Sequence, residues 1–484
     1  VYQRPATLDT TKATLTRQTS EYGQTVPIPS TDWAFADCAT VPFPGTPDPS
    51  KICAKAGFDP AYLYQLVFTA KDPLVLGIGY AATRDLNSFL RYADKDDDGN
   101  PNPVAKKISW VISQGNSQSG NFIRSFIHLG FNQDEAGRIV WDGANPHIAG
   151  RQLALNFRFA VGGGIANPYE PGSDAVLWWN DYPDKARHHP TAGMLDRCRA
   201  TNTCPKIFET FGTLEFWELR MSPNLVGTDA KADIPIPDNV RRYYFPGTTH
   251  GGGRGGFSTA APAPPNGCVL GANPNPESDT TRALMVDLTE WVTKGVAPPA
   301  SRYPRLDHGD LVKANATGFP SIPGVKSPEP LVNAFVDYDF GPDFNYNDLS
   351  GVITKEPPAI KQTLPTLVPR VNKDGNDEVG VPSVLLQAPL GTYSGWNVTA
   401  AGFNKGQICG LNGGFIPFAK TRAERMASGD PRPSLEERYA SHDAYVARVK
   451  AAADNAVKER FLLPADADRL VAQAAASDVL VGEK

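Results

Sequence analysis

The sequence predicts an α/β fold with a mainly parallel sheet flanked by helices, followed by a Pro/Gly-rich mixed insertion and a helical C-terminal tail. Between residues 61 and 297, short apolar runs typical of buried strands alternate with segments of helical periodicity. Residues 298–420 are rich in Pro and Gly and show few helical periods. After Pro433 a Ser434/Glu437 capping box is expected to open an amphipathic helix, and Pro464 a last one.

These changes divide the chain into four predicted segments. They are an irregular Pro-rich wrapping segment (residues 1–60), an α/β core (61–297), a lid-like accessory region (298–420) and a helical C-terminal segment (421–484). Within the core, strands are predicted at residues 62–68, 108–112, 138–141, 157–161, 206–211 and 242–247, and helices at 77–92 and 281–294. Because the two kinds of element alternate, most of the sheet is expected to be parallel.

Composition narrows the class of protein and its partners. The 484 residues are 41% hydrophobic and 20% charged, with a formal net charge of −5, which is typical of a folded protein with a sizeable core. No basic stripe indicates a nucleic-acid partner, and no apolar run is long enough for a membrane span. The acidic run at residues 94–100 begins like a calcium loop but has Ala105 in place of the bidentate glutamate. We therefore expect no metal and no cofactor.

The six cysteines indicate an oxidising compartment. None forms a C-x-x-C pair, which argues against a zinc site. Cys38 and Cys53 bracket a Pro-rich loop and Cys198 and Cys204 a short polar one, so two local disulfides are expected. By elimination the third bridge would join Cys268 to Cys409. This pattern predicts a periplasmic or secreted protein.

The core is organised around a strand, a sharp turn and a helix between residues 108 and 127. The turn reads Gly115-Asn-Ser-Gln-Ser-Gly120, and apolar residues then recur at helical spacing. A serine at the tip of such a turn is the nucleophile elbow of α/β-hydrolases, where the neighbours two residues away must be small. Ser117 meets this requirement with Gly115 and Ser119. The N–H of Gln118, next in the chain, would be one oxyanion donor.

A nucleophilic serine needs a base, and the base needs an orienting carboxylate. In this arrangement the chain order is serine, acid, histidine. His250 is the candidate base because it follows a predicted strand within a Gly-rich loop. Glu215 is the preferred acid because it follows the preceding strand, and Asp142, one strand after the elbow, is the alternative.

Two further side chains are candidates for lining the substrate pocket. Trp217 lies two residues after the preferred acid, and His147 follows a strand end. Aromatic side chains near strand ends are as typical of a core as of a pocket, so both interpretations stay open.

Several motifs resemble the bacterial alpha/beta hydrolase domain family. The resemblance covers about residues 30–475 and is carried by residues 83–91, 115–124, 130–138, 142–150, 214–217, 249–251 and 430–439. It implies an α/β-hydrolase fold and a triad of Ser117, His250 and Glu215. The elbow is also similar to that of glucuronoyl esterases, which carry arginine where this chain has Gln118. That departure argues against a uronate ester as substrate.

These observations predict a serine carboxylic-ester hydrolase that acts on a small-molecule ester through an acyl-enzyme. An amidase or peptidase with the same triad is the first alternative. A catalytically silent binding module on a hydrolase scaffold is the second, because a fold does not settle function.

A last expectation concerns the number of strands. An α/β-hydrolase sheet usually has about four or five strands before its nucleophile, and a loop among them supplies the second oxyanion N–H. Here 107 residues precede residue 108, much of that length is Pro-rich, and the chain begins at Val1. We therefore expect the remaining strands to come from an upstream fragment of the same precursor, unless residues 1–60 supply them.

Overall fold

The computed structural model describes residues 4–72, 77–153, 169 and 171–481. At its centre lies a four-stranded parallel sheet with strands in chain order: β1 (Ile112–Asn116), β2 (Gly143–His147), β3 (Lys206–Gly212) and β4 (Val240–Phe245). Each strand pairs in parallel with the next. The strand predicted at residues 157–161 lies outside the described residues.

Helices cover both faces of this sheet. On one face, α2 (Gln118–His128) packs Ile123 and Phe126 against Ala144, Ile207 and Val240 of the strands. On the other, α4 (Ser278–Lys294) packs Leu284, Leu288 and Trp291 against Phe208 and Tyr243. Strands that are buried on both faces are the usual form of a parallel sheet.

The described residues of the α/β part form four more helices. Helix α1 (Ile78–Tyr92) precedes the sheet and buries only Tyr80, and the short helix α3 (Thr213–Trp217) follows β3 directly. The helices Asp196–Thr201 and Ser222–Val226 lie in the connections on either side of β3. Helix α1 and β3 match the predicted positions, and β4 and α4 begin two and three residues before the predicted ones.

Two predicted strands are shifted toward the C-terminus. Strand β1 was expected at residues 108–112 and begins at Ile112, while Trp110 is half exposed. Strand β2 was expected at residues 138–141 and begins at Gly143. Strands β1 and β2 tolerate polar residues, glycine and a proline, because parallel pairing with a neighbouring strand holds their backbone in the extended form. An apolar run is therefore a poor marker of their bounds.

The N-terminal region forms small antiparallel sheets that are separate from the central one. A three-stranded sheet combines Val26–Ile28, Ala13–Gln18 and Leu63–Phe68 around the buried side chains of Leu15, Trp33 and Phe35. The other elements are a 3₁₀ turn and short strands, namely Thr10–Lys12, Arg4–Pro5, Trp33–Ala34, Ala36–Asp37, Thr46–Pro47, Cys53–Ala54 and Ala70–Lys71. Among the described residues, no strand before β1 pairs with the parallel sheet.

The rest of the chain is mostly loops with short strands until the C-terminal helices. Between the major elements lie the 3₁₀ turns Pro171–Ser173, Lys185–Arg187, Ala314–Ala316 and Glu329–Leu331 and the strands Tyr182–Pro183, Thr191–Ala192, Gly271–Ala272, Leu311–Val312, Phe335–Asp339, Phe344–Asn345, Ser350–Gly351, Ala359–Leu364, Val368–Pro369, Gly391–Ser394 and Gly414–Pro417. The later helices are Val384–Gln387, Arg422–Ser428, Leu435–Arg438, α5 (His442–Lys458) and α6 (Pro464–Ala475). The division into four segments stays a prediction.

One helix prediction needs correction. Ser434 and Glu437 do form a capping box, but the helix that it opens ends at Arg438 after a single turn. The long helix α5 begins separately, with Ser441 accepting a hydrogen bond from the N–H of Ala444. The last helix begins at Pro464, as predicted.

All three predicted disulfides are present: Cys38–Cys53, Cys198–Cys204 and Cys268–Cys409. The first two close short local loops, and the third ties residues 141 positions apart. Within the described ranges, none of the helices has the length and apolar character needed to cross a bilayer.

Candidate active site

Ser117 lies at a strained turn between β1 and α2. Its backbone has φ 55° and ψ −117°, a conformation that non-glycine residues rarely adopt. The turn is also tight, since a Cβ at Gly115 would lie 2.4 Å from the carbonyl oxygen of Ser119. One at Gly120 would lie 2.7 Å from the Cβ of Ala149. The tightness of the turn therefore explains why the residues around Ser117 are small.

The structure brings Ser117, His250 and Glu215 into one hydrogen-bonded chain. The Nε2 atom of His250 lies 2.8 Å from Ser117 Oγ, and its Nδ1 atom lies 2.6 Å from Glu215 Oε1. Glu215 is fully buried, and the His250 side chain is 8% exposed. With a carboxylate on Nδ1, that nitrogen carries the hydrogen, and Nε2 is left to accept the serine proton.

Glu215 is fixed by the turn that ends β3. Its Oε2 atom accepts the N–H of Gly212 at 2.5 Å, which leaves Oε1 directed at His250. Position 212 must be glycine, because a Cβ there would lie 2.1 Å from Thr248 Oγ1. The acid was expected just past the strand at residues 206–211, and in the structure it lies in the first turn of α3, which follows β3 directly.

The predicted oxyanion donor, Gln118, is the first residue of α2. The first N–H groups of a helix have no carbonyl partner within it, so this N–H is free to bind an anion beside Ser117. Its catalytic role stays a prediction.

The alternative acid Asp142 lies at the opposite edge of the sheet. It precedes β2, whereas His250 follows β4, and parallel strands all point the same way. The carboxylate of Asp142 pairs with Arg91 of α1 at 2.9 Å and accepts the N–H of Val111 at 2.8 Å. The structure therefore does not bring Asp142 to the imidazole of His250.

The two pocket candidates are both buried. Trp217 is 2% exposed and its ring centroid lies 6.1 Å from that of Trp396, so the contacts that we observe are core contacts. His147 is 4% exposed and lies at the carboxyl end of β2, where its carbonyl oxygen accepts the N–H of Ser117 at 2.9 Å. Whether either residue lines a substrate pocket stays a prediction.

Sequence reasoning missed Asp377, which links the segments that carry Glu215 and His250. Its Oδ2 atom accepts hydrogen bonds from the hydroxyls of Thr213 and Tyr244 and from the N–H of Gly247, the last two at 2.7 and 2.8 Å. Burial raises the pKa of Asp377, while these three hydrogen bonds act to lower it. One carboxylate thus holds both the start of α3 and the turn after β4.

The loop that carries His250 is also held by contacts with residues more than 150 positions further along the chain. The hydroxyl of Thr249 donates to the carbonyl of Leu411 at 2.9 Å and accepts the N–H of Gly413 at 2.8 Å. The disulfide Cys268–Cys409 ties the segment after this loop to the same region. Residues between 377 and 413 therefore hold the segments that carry Glu215 and His250, through contacts that no local sequence signal reveals.

A buried pair between His147 and Glu277 was also missed. Glu277 immediately precedes α4, and its Oε1 atom lies 2.9 Å from His147 Nε2. Burial alone would lower the pKa of His147, but the Glu277 carboxylate outweighs it and the pKa is raised. The pKa of Glu277 is raised by burial, with His147 acting against the shift.

Family comparison agrees with the resemblance that the sequence motifs carry. The chain belongs to the alpha/beta hydrolase domain family, whose sequence pattern matches residues 37–472. No curated protein matches the chain significantly. No solved structure matches it either.

Proposed function

We propose that this protein is a serine carboxylic-ester hydrolase with Ser117, His250 and Glu215 as its catalytic triad. The observation that carries the proposal is the continuous chain Ser117 Oγ–His250 Nε2 and His250 Nδ1–Glu215 Oε1, at 2.8 and 2.6 Å, on a strained turn. Membership of a hydrolase family supports the same class of reaction. The parallel sheet would then be the C-terminal half of an α/β-hydrolase sheet.

The reaction follows from these contacts. Ser117 Oγ attacks the ester carbonyl carbon while His250 Nε2 takes its proton. The N–H of Gln118 stabilises the oxyanion that develops. The C–O bond to the alcohol then breaks, and Nε2 returns the proton to the leaving oxygen. Water then attacks the acyl-enzyme carbonyl while His250 Nε2 takes its proton, and Nε2 returns that proton to Ser117 Oγ as the acid leaves.

Glu215 contributes by holding the imidazole. Its Oε1 atom accepts the Nδ1–H, which fixes the tautomer and stabilises the imidazolium formed in each step. These steps use only groups of the protein, and the substrate is a small-molecule ester. The three disulfides favour a periplasmic or secreted location in a bacterium.

Labelling with a fluorophosphonate tests the proposal directly. We expect the wild type to be labelled on Ser117, and S117A to lose both labelling and ester hydrolysis, by about 10⁶-fold in rate. S119A is the matched control, because it removes a hydroxyl from the same turn, and its rate should stay within about twofold. Wild-type protein that resists labelling, or S117A that keeps its rate, would reject the triad.

A pair of substrates with the same acyl group, one an ester and one an amide, distinguishes an esterase from an amidase. A p-nitrophenyl ester and a p-nitroanilide with the same acyl group should be compared on the wild type, with S117A as the blank. A faster amide would assign the protein to the amidases instead.

A further inference from the structure

His147 and Glu277 form part of a buried hydrogen-bonded chain beneath the candidate triad. Nδ1 of His147 lies 2.9 Å from Thr210 Oγ1, and Thr210 Oγ1 lies 2.9 Å from Asn145 Oδ1. The amide nitrogen of Asn145 faces the sulfur of Met285 at 3.5 Å, which leaves its oxygen toward Thr210. The chain therefore runs from Asn145 through Thr210 and His147 to Glu277.

The donors and acceptors in this chain fix the number of protons that it holds. A hydroxyl has one hydrogen, and Thr210 gives it to the amide oxygen of Asn145. His147 Nδ1 must then be the donor to Thr210 Oγ1. If Nε2 were bare and Glu277 ionised, two lone pairs would face each other across 2.9 Å. One proton must therefore lie between Nε2 and Oε1, and the pair carries no net charge.

The neutrality of the His147–Glu277 pair is important because the pair is buried and other ionisable groups lie near it. The charged groups facing it are Glu215 of α3 and His250 of the loop after β4, and both act on the pKa of Glu277. The second oxygen of Glu277, Oε2, is buried and has no hydrogen-bond partner among the described residues. A bare carboxylate at this place would be a second buried negative charge next to Glu215.

The same pair also contacts the two backbone segments that carry Ser117 and His250. The carbonyl of His147 accepts the N–H of Ser117 at 2.9 Å. Glu277 packs against the loop of His250, because a Cβ at Gly252 would lie 2.6 Å from the Cγ atom of Glu277. Gly252 has φ +72°, which favours glycine, so the loop is shaped to fit this side chain.

We propose that His147 and Glu277 are positioning residues that share one proton, and that loss of this proton at alkaline pH lowers turnover. The inference rests on the proposed esterase function. While the proton is shared, the pair holds the Ser117 turn and the His250 loop in register. Once the proton leaves, the lone pairs of His147 Nε2 and Glu277 Oε1 repel each other, and Glu277 becomes a second negative charge beside Glu215. Both effects displace the Ser117 turn and the His250 loop.

E277Q removes the shared proton but keeps the shape of the side chain. Its amide can donate to a neutral His147 Nε2, so nothing in the pair titrates between about pH 5 and 10. An amide makes a weaker hydrogen bond to His147 than a carboxylate that shares a proton with it. The Ser117 turn and the His250 loop are then held less firmly, and we expect kcat to fall about 10- to 100-fold with little change in KM, since a small misplacement of reacting groups is costly. The decline of wild-type kcat on the alkaline side should be absent in E277Q.

E290Q is the matched control, because Glu290 lies on α4 and pairs with Lys294 away from the site. Its pH profile should match that of the wild type. An E277Q enzyme with wild-type kcat and an unchanged alkaline decline would overturn the inference. Failure of fluorophosphonate labelling in the wild type would instead count against the triad itself, so the two ideas fail separately.

A measurement on the wild-type protein keeps the inference testable even if E277Q folds poorly. In protein labelled with ¹⁵N-histidine, His147 should keep its Nδ1 proton throughout and lose the Nε2 proton only above neutral pH, in step with the fall in kcat. A His147 signal that titrates below neutral pH, or does not titrate as activity falls, would contradict the shared proton.

Discussion

The two edges of the central sheet differ in how they use a carboxylate. At the carboxyl edge, Glu215 accepts one backbone N–H and directs its other oxygen to His250. At the amino edge, Asp142 is neutralised by Arg91 and also accepts the N–H of Val111. A carboxylate whose oxygens are already taken up by a guanidinium stabilises the fold. One with an oxygen left for an imidazole can orient a base.

The comparison teaches that strand direction decides between candidates that look alike in the sequence. Both carboxylates flank strands of the same parallel sheet, but one precedes its strand and the other follows. Ligands and reacting groups gather at the carboxyl ends of such strands. We therefore expect substitutions at the two edges to have opposite signatures, with activity lost at one and stability at the other.

Among the carboxylate variants, the largest effect is expected for E215Q. An amide in this place can donate to His250 Nδ1 and so stabilise the wrong tautomer, which should lower kcat by about 10⁴-fold. The melting temperature should change far less than the rate. Steady-state hydrolysis of a p-nitrophenyl ester measures the loss, and a mild E215Q together with a crippled D142N would reverse the assignment of the two edges.

An intermediate effect is expected for D377N. Thr213, Tyr244 and the N–H of Gly247 all donate to the same carboxylate oxygen, Oδ2, and an uncharged amide oxygen in its place accepts weaker hydrogen bonds. We expect about a tenfold lower kcat and a loss of about 1–3 kcal/mol in the free energy of unfolding. Urea titration and ester kinetics give the two numbers. Asp98, exposed in the acidic turn, offers D98N as the control that should alter neither.

The smallest effect on activity is expected for D142N. It leaves the guanidinium of Arg91 largely buried without its partner, which should cost about 3 kcal/mol of stability. Once folded, the variant should hydrolyse esters within about twofold of the wild-type kcat. A tenfold loss of kcat in fully folded D142N would show that the amino edge contributes to the chemistry after all.

Much of the candidate site could be predicted because its residues follow local sequence patterns. Ser117 was identified from the small residues around a turn, and Glu215 and His250 from their positions after successive strands. The strand bounds were less predictable, since β1 and β2 contain Asn, Gln, Gly and Pro residues that usually mark loops. Parallel pairing on a covered sheet overrides these local preferences.

The supporting contacts could not be predicted from a single sequence. Asp377 lies 164 positions from Thr213, and Glu277 lies 130 positions from His147. Neither residue has a motif around it, and an acidic residue in a loop is usually exposed. Likewise, residues 1–60 were expected to be irregular, but short strands form there. Within the described part of the chain, these strands pair with one another or with residues up to 71.

The bonds from Thr249 to Leu411 and Gly413 set an order of events during synthesis. Ser117 leaves the ribosome long before residue 413 does, by roughly 15 to 60 s at typical rates of chain elongation. Until that part of the chain emerges, the loop of His250 lacks the contacts that hold it. The growing polypeptide therefore carries Ser117 without a positioned His250 for most of its synthesis, and the candidate site is completed only after residue 413 has emerged.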